Sequence, residues 1–318
     1  MTVMAPKQKV LVLCGGLSAE REVSLRSGRR VAAALGDVGN EVRTADFDTS
    51  LLPLIDSWRP DVAVPLLHGA EGEDGSLPTI LEVLGLPFVG SPAKACRLAF
   101  DKPVANEIVA EIGITVPASF TLPQRVFREL GAMGVIDAVS AQAGLPLIIK
   151  PTRGGSALGV GVVRSVDEMG PALVAAFAYS ETVLIQRLIS GMEVAVSVVS
   201  LESGLLALPV VEIRPDGDIY DYRARYTAGL TEFFTPARLT DDVRERAESV
   251  ATRAHAVLGL RDWSRTDMII DDAGVAWYLE TNSAPGMTET SLFPQSVVAS
   301  GISLADVCSQ LVSAAAAR

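Results

Sequence analysis

From residue 9 onward the chain alternates short apolar runs with amphipathic stretches, and that alternation restricts its fold more than any other feature. Val10 to Cys14 reads as a strand, Glu22 to Leu35 as a helix, Glu41 to Ala45 as a second strand and Asp61 to Leu66 as a third. Strands separated by helices lie parallel in one sheet, so the pattern predicts an α/β fold with a parallel sheet at its N-terminal end. Ligands of such sheets sit beyond the carboxyl ends of the strands. Two loops at those ends carry unusual chemistry: Gly15-Gly16-Leu17-Ser18-Ala19-Glu20 and His68-Gly69-Ala70-Glu71-Gly72-Glu73-Asp74-Gly75.

The rest of the chain departs from this rhythm. Ala93 to Ile112 reads as mainly helical, with a boundary near residue 100. A second unit, 101–185, holds a strand at Leu147 to Lys150, a glycine-rich loop and a strand at Val160 to Val163, an arrangement that folds over a ligand as a flap. The third unit, 186–318, is richer in strands and closes with a helix ending at Leu258, a hairpin and two helices. Units 1–100, 101–185 and 186–318 agree with the one to three domains that 318 residues suggest.

Composition removes several classes of function. Lys and Arg total 27 against 38 Asp and Glu, a formal charge of -11, so the surface field repels the phosphates of nucleic acids and anionic lipids. Cys14, Cys96 and Cys308 are odd in number and far apart, which suggests no disulfide framework or thiolate zinc site and favours a reducing, cytoplasmic compartment. No apolar run approaches the roughly 20 residues of a membrane span. The block ending at Cys14 is too short for a signal peptide core, and Leu13 is too bulky for a lipoprotein cleavage site. His68 and His255 are the only histidines, so a His-rich metal site is excluded, and the helical setting of His255 gives it a structural role.

The most informative constellation is Arg265-Thr266-Asp267 with Glu280-Thr281-Asn282. Both triplets lie in strand-like runs joined by the turn Asp271-Asp272-Ala273-Gly274. Alternation along a strand puts Arg265 and Asp267 on one face, and pairing across the hairpin brings Asp267 beside Glu280 and Asn282. Two carboxylates and an amide oxygen suit a magnesium ion completed by waters and phosphate oxygens. The turn Pro285-Gly286 that follows lets backbone N–H groups approach a ligand, and a helix beginning near Ser291-Leu292 favours a carboxylate. Gly154 to Gly159, preceded by Lys150, is a phosphate cradle of a different kind from the Walker A loop, the Rossmann fingerprint or the nucleophile elbow. In an acidic protein a polyphosphate needs local cations, for which Lys102, Lys150, Arg225 and Arg265 are candidates.

Together these pieces resemble the D-alanine:D-alanine ligases of the ATP-grasp superfamily. The residues that carry the resemblance are Gly15 to Leu25, the His68-Gly69 loop through Gly75, Asp101-Lys102, Leu279-Glu280-x-Asn282-x-x-Pro285-Gly286-Met287-Thr288 and Ser291-Leu292. Their order covers nearly the whole chain. The resemblance implies an ATP-grasp fold of three domains, with ATP between the central and C-terminal ones. It also implies that ATP phosphorylates one D-alanine and that the amine of a second attacks the acyl phosphate. Lys102, Lys150, Gly155 and Arg225 then serve the ATP phosphates, Gln186 the adenine amino group and Glu193 the ribose. Asp267, Glu280 and Asn282 match ligands of magnesium, with two ions expected and manganese as a substitute. Arg265 and the Gly286 amide match oxyanion stabilisers. Glu20 takes the first substrate's ammonium with Ser156 and Tyr226 bonded to it, His68 helps to place that substrate, and Ser291 and Leu292 receive the second substrate's carboxylate. A cytoplasmic homodimer that binds neither nucleic acid nor membrane completes the expectation.

Three positions depart from the family pattern. Arg225 stands where lysine is usual, which keeps the charge and changes the donor geometry. Gln186 replaces a frequent acidic residue, and its amide oxygen can still accept a hydrogen bond. Ala157 replaces a common second serine. These changes leave two alternatives to D-alanyl-D-alanine synthesis: a related ligase with a different second substrate, and a nucleotide-binding protein without turnover.

Overall fold

A computed structural model describes residues 7–217, 219–227 and 229–318, apart from the side chain of Tyr226. Among these residues the strands form three sheets. The first joins β1 (Lys9–Leu13), β2 (Glu41–Ala45) and β3 (Val62–Pro65) in the order β2-β1-β3, all parallel, as the alternation of strands and helices predicts. Central β1 is buried on both faces, which explains its unbroken apolar run. Val10 and Val12 share a core with Val31 and Leu35 of the helix Arg21–Asp37 and with Val307 and Leu311 of the helix Leu304–Ala316. Leu11 and Leu13 pack with Trp58, Leu77 and Phe88. The last helix of the chain thus closes the core of the first sheet, and each large apolar side chain buried there contributes about 1.5–3 kcal/mol.

Ala93 to Ile112 is mainly helical, as expected, and is broken at Asp101, beside the boundary expected near residue 100. Helices Ala93–Phe100 and Lys102–Glu111 flank Asp101, whose backbone is extended and whose carboxylate accepts from Val104 N at 3.4 Å. Pro103 lacks the N–H that a continuous helix would need there, so the chain stops and restarts with an aspartate cap. The restart matters for the site, because it begins at Lys102.

The second sheet pairs β4 (Ser119–Pro123), β5 (Leu147–Pro151), β6 (Gly161–Val163) and β7 (Thr182–Arg187) antiparallel in the order β4-β7-β5-β6. β5 and β6 frame the glycine-rich loop at 152–160, as expected of a flap. The third sheet contains β8 (Met192–Leu201), β9 (Gly204–Ala207), β10 (Val211–Pro215), β11 (Thr231–Phe234), β12 (Trp263–Ile270) and β13 (Ala276–Asn282). Its order is β11-β10-β8-β12-β13, with β9 paired to β8. The helix Asp241–Val257 lays Ala247 and Ala251 against Val194, Val196 and Met268 of this sheet.

Among the described residues no single helix is long and apolar enough to cross a membrane. The bent pair Leu292–Ala299 and Leu304–Ala316 has the length and composition for it. Its apolar side chains Phe293, Val297, Val307 and Leu311 are spent on the first sheet's core.

Candidate active site

The β12–β13 hairpin places the triplets as the sequence pattern requires. Arg265 pairs with Asn282 and Asp267 with Glu280, and the register slips immediately after Asp267. Arg265 donates to Asp267 through Nε to Oδ1 at 2.7 Å and Nη2 to Oδ2 at 2.8 Å. Asn282 Nδ2 lies 3.4 Å from Asp267 Oδ2, which leaves the Asn282 amide oxygen as the group able to meet a cation. Burial opposes charge on Glu280, but Lys102, Arg225 and Lys150 outweigh it and hold its carboxyl near a pKa of about 2. Burial also works against charge on Arg265, yet the facing Asp267 carboxylate keeps the guanidinium firmly protonated.

This donor set fits magnesium. It offers two carboxylates and an amide oxygen, hard ligands that leave coordination positions for water and phosphate. Among the described residues no group of three or more His, Cys, Asp or Glu side chains converges on a metal position, so the protein's share of ligands is a partial one.

Lys102 stands at the start of its helix because Asp101 caps that helix and also pairs with Arg153 at 2.9 Å. Its Nζ donates to Gly154 O at 2.7 Å and lies 3.2 Å from Glu280, so one ammonium joins the flap to the hairpin. Lys150, on β5, is buried and donates to Gln186 Oε1 at 3.0 Å. Burial brings the Lys150 pKa down to about 8. The Gln186 oxygen expected to face adenine is therefore already engaged, and Gln186 Nε2 is buried without a partner among the described residues.

The flap turns sharply, with Ser156 and Ala157 at φ of 53° and 56°, a region that side chains other than glycine rarely adopt. The turn delivers the Ser156 hydroxyl to Glu20, to which it donates. Gly155 passes so near Glu20 that a β-carbon there would lie 2.9 Å from its Oε2. Glu20 itself is fixed by a pinned loop. Gly16 N donates to Asp46 Oδ1 at 2.7 Å, Arg21 pairs with Asp46 at 2.6 Å, and Ser18 Oγ donates to His68 O at 2.9 Å.

His68 Nδ1 lies 3.1 Å from Ala284 O, and burial lowers its pKa, which favours the neutral ring. Met287 N donates to Ser27 Oγ at 3.0 Å, tying the Pro-Gly turn to the helix Arg21–Asp37. Thr288 N donates to Ser291 Oγ at 3.1 Å, and Leu292 begins the next helix. A β-carbon at Gly286 would come within 2.8 Å of Ser291 Oγ, so any larger residue would displace that hydroxyl. Arg225 stacks 4.2 Å above the Tyr220 ring and donates from Nε to the Tyr220 carbonyl at 3.2 Å. The Tyr226 side chain lies outside the described part of the structure.

Two cavities collect these side chains. The larger, about 560 Å³, lies between the second and third sheets and is lined by Lys102, Lys150, Gly155, Gln186, Glu193 and Arg225, together with Asp267 and Glu280. The smaller, about 120 Å³, is lined by Glu20, His68, Ser156, Arg265, Asn282, Gly286, Ser291 and Leu292. Gly155, Tyr220, Arg225 and Glu280 border both. Burial moves the Glu193 carboxyl up to about 7.

Three contributors were not assigned a role from the sequence. Glu73, in the smaller cavity, accepts from Gly69 N at 3.1 Å and is pushed up to about 8, first by burial and then by the charge of Glu20. Tyr220 contributes by bracing Arg225 five residues on, and Ser27 through Met287, 260 residues away. Glu73 falls within a motif that already marks the loop, and that spacing was the one available pointer to it.

A flap of one sheet lying over a nucleotide-sized, cation-lined cavity against a second sheet defines the ATP-grasp class of enzyme. A family model described as D-ala D-ala ligase C-terminus matches residues 108–313. The D-alanine--D-alanine ligase of Desulforudis audaxviator is 39% identical over 315 residues, spanning 98% of this chain and 99% of that protein. The chain belongs to the D-alanine:D-alanine ligase family. Among solved structures, the Bacillus anthracis D-alanine--D-alanine ligase complexed with ATP superposes with a TM-score of 0.79 at 27% identity, covering 98% of both chains. The VanG D-Ala:D-Ser ligase of Enterococcus faecalis gives 0.78 at 28% identity, covering 96% of this chain and 99% of that one.

Proposed function

We propose that this protein joins two D-alanine molecules at the expense of ATP. The γ-phosphoryl group passes to the carboxylate of the first D-alanine, and the amine of the second attacks that acyl carbon and expels phosphate. The observation that carries the reading is the shared border of the two cavities at Gly155, Tyr220, Arg225 and Glu280. A phosphoryl group leaving a nucleotide in the larger cavity enters the smaller one there, next to Glu20 and Arg265.

Each residue then has work set by its position. Lys102 and Lys150 hold phosphate oxygens, the Gly155 amide faces the same chain, Glu193 takes the ribose hydroxyls and Gln186 meets the base. Arg225, braced on Tyr220, meets the γ-phosphoryl group. Glu20 receives the ammonium of the first D-alanine, oriented by Ser156 with Tyr226 as a further partner, and His68 places that substrate. Arg265 and the Gly286 amide stabilise the oxyanion, and Ser291 with Leu292 receives the second carboxylate. Asp267, Glu280 and Asn282 hold magnesium, as two ions, or manganese in its place. Bound there, the cation neutralises charge on the transferring phosphoryl group. The flap at 152–160 excludes water that would hydrolyse the acyl phosphate. The reading extends to a cytoplasmic homodimer that supplies a peptidoglycan precursor, and three buried free cysteines accord with a reducing compartment.

The test is to supply ATP, magnesium and D-alanine, to follow phosphate, and to identify the product by mass. Phosphate and D-alanyl-D-alanine in equal amounts support the reading. The likeness to a D-Ala:D-Ser ligase makes D-serine and D-lactate the informative alternatives. Product from one of these but not from D-alanine alone would assign a related ligase, and nucleotide binding without phosphate release under any amino acid would leave a binding protein.

A further inference from the structure

We infer that Gln186 sets the choice of nucleobase, and that the larger cavity accepts a 6-oxopurine nucleoside triphosphate as well as an adenine one. The inference rests on the reading that a nucleotide occupies that cavity. Gln186 is 1% exposed on β7 and lines the cavity, and its side chain has one used end and one unused end. The Lys150 ammonium carries only donors, so the amide atom 3.0 Å from it is the oxygen, and the atom left without a partner is the Nε2 donor. A buried N–H without an acceptor is costly, and a ligand that supplies one relieves that cost.

Two neighbouring backbone donors are already used. Arg187 N is committed to Ala118 O at 2.9 Å and Leu188 N to Pro146 O at 3.1 Å. Around them Ile148, Met192 and Ile269 line the same cavity with apolar surface that grips the faces of a ring and reads none of its edges. The Gln186 Nε2 is therefore a buried side-chain donor left to face a base, and it suits an acceptor at the 6-position. Adenine presents an amino group there, itself a donor, which Nε2 cannot satisfy and which turns instead to the Gln186 oxygen, shared with Lys150, or to a backbone carbonyl. Hypoxanthine and guanine present a carbonyl oxygen, which takes the free N–H. A carboxylate at position 186 would offer acceptors alone and would reject the carbonyl.

The experiment compares ADP with IDP binding to the full chain by calorimetry, and kcat/KM for ATP with ITP in the presence of D-alanine. Inosine is chosen because it lacks the 2-amino group of guanine. In the unaltered protein both nucleotides should fall within about tenfold of each other. In Gln186→Glu the ratio should swing towards adenine by at least about tenfold in binding and in kcat/KM alike. Because each ratio is taken within one protein, a general loss of stability in the variant cancels. ADP bound more than about a hundredfold tighter than IDP, with the same ratio in Gln186→Glu, overturns the inference and leaves the nucleotide reading standing. Failure of both nucleotides to bind overturns both.

Discussion

Arg265 grips Asp267 through two parallel N–H···O bonds of 2.7 and 2.8 Å, a fork in which Asp267 is buried and Arg265 mostly so, beside the border of the two cavities. The pairing does two jobs at once. It compensates two charges removed from water, and it fixes the guanidinium in the orientation that the proposed oxyanion role requires. A lysine could carry the charge, but it lacks the planar fork.

Arg265→Lys should therefore lower kcat by about 10²-fold, with a smaller effect on KM for ATP. Steady-state kinetics at saturating D-alanine reads this directly. A loss confined to KM would place Arg265 in ground-state binding.

Glu280→Gln should abolish turnover and raise the magnesium concentration needed for any residual activity. The carboxylate is held ionised by Lys102, Arg225 and Lys150, and an amide there loses the charge that those cations face. Titrating magnesium against residual rate makes the measurement, and near-normal activity would contradict the assignment.

Ser156→Ala removes the hydroxyl that donates to Glu20, so KM for D-alanine should rise about tenfold while nucleotide affinity changes little. Ser156→Gly should behave alike, although glycine adopts the φ of 53° without strain. Recovery of normal KM in the glycine variant would show that backbone strain, and not the hydroxyl, matters.

Glu73 gives a pH signature of stability. Its carboxyl is raised from the ordinary 4.5 to about 8, so the folded state binds a proton that the unfolded chain has released. Its stabilising contribution is full below about 4.5 and is lost as pH rises through about 8. Glu73→Gln mimics the protonated form and keeps an acceptor for Gly69 N. Relative to the unaltered protein it should gain stability as pH rises, on the order of a few kcal/mol at the alkaline end. Urea unfolding between pH 5 and 9 tests it, and parallel curves would place an ionised carboxylate at Glu73 throughout.

The hairpin was the most legible part of the site. Arg265, Asp267, Glu280 and Asn282 lie on strands whose period and turn residues fix which side chains share a face, and the observed register follows. The parallel N-terminal sheet was legible for a similar reason, since strand and helix alternate within short reach along the chain. The boundary near residue 100 was legible, whereas its exact form, an aspartate cap at Asp101 restarting the helix at Lys102, follows from Pro103. The Lys150–Gln186 contact was beyond reach, because it depends on β7 pairing with β5 across 36 residues. The same holds for Ser27 under Met287, 260 residues apart. Local patterns expose local geometry, whereas side-chain partners chosen by sheet order appear only once the sheets are assembled.

In the proposed reaction the γ-phosphoryl group passes to the carboxylate of the first D-alanine, and the phosphate later expelled keeps one oxygen of that carboxylate. D-alanine labelled with ¹⁸O in its carboxylate, supplied with ATP and magnesium, tests this by mass analysis of the released phosphate. The account predicts one ¹⁸O atom in each phosphate formed, matched by loss of one label from the carbonyl end of the first residue in D-alanyl-D-alanine. Unlabelled phosphate accompanying dipeptide would contradict it.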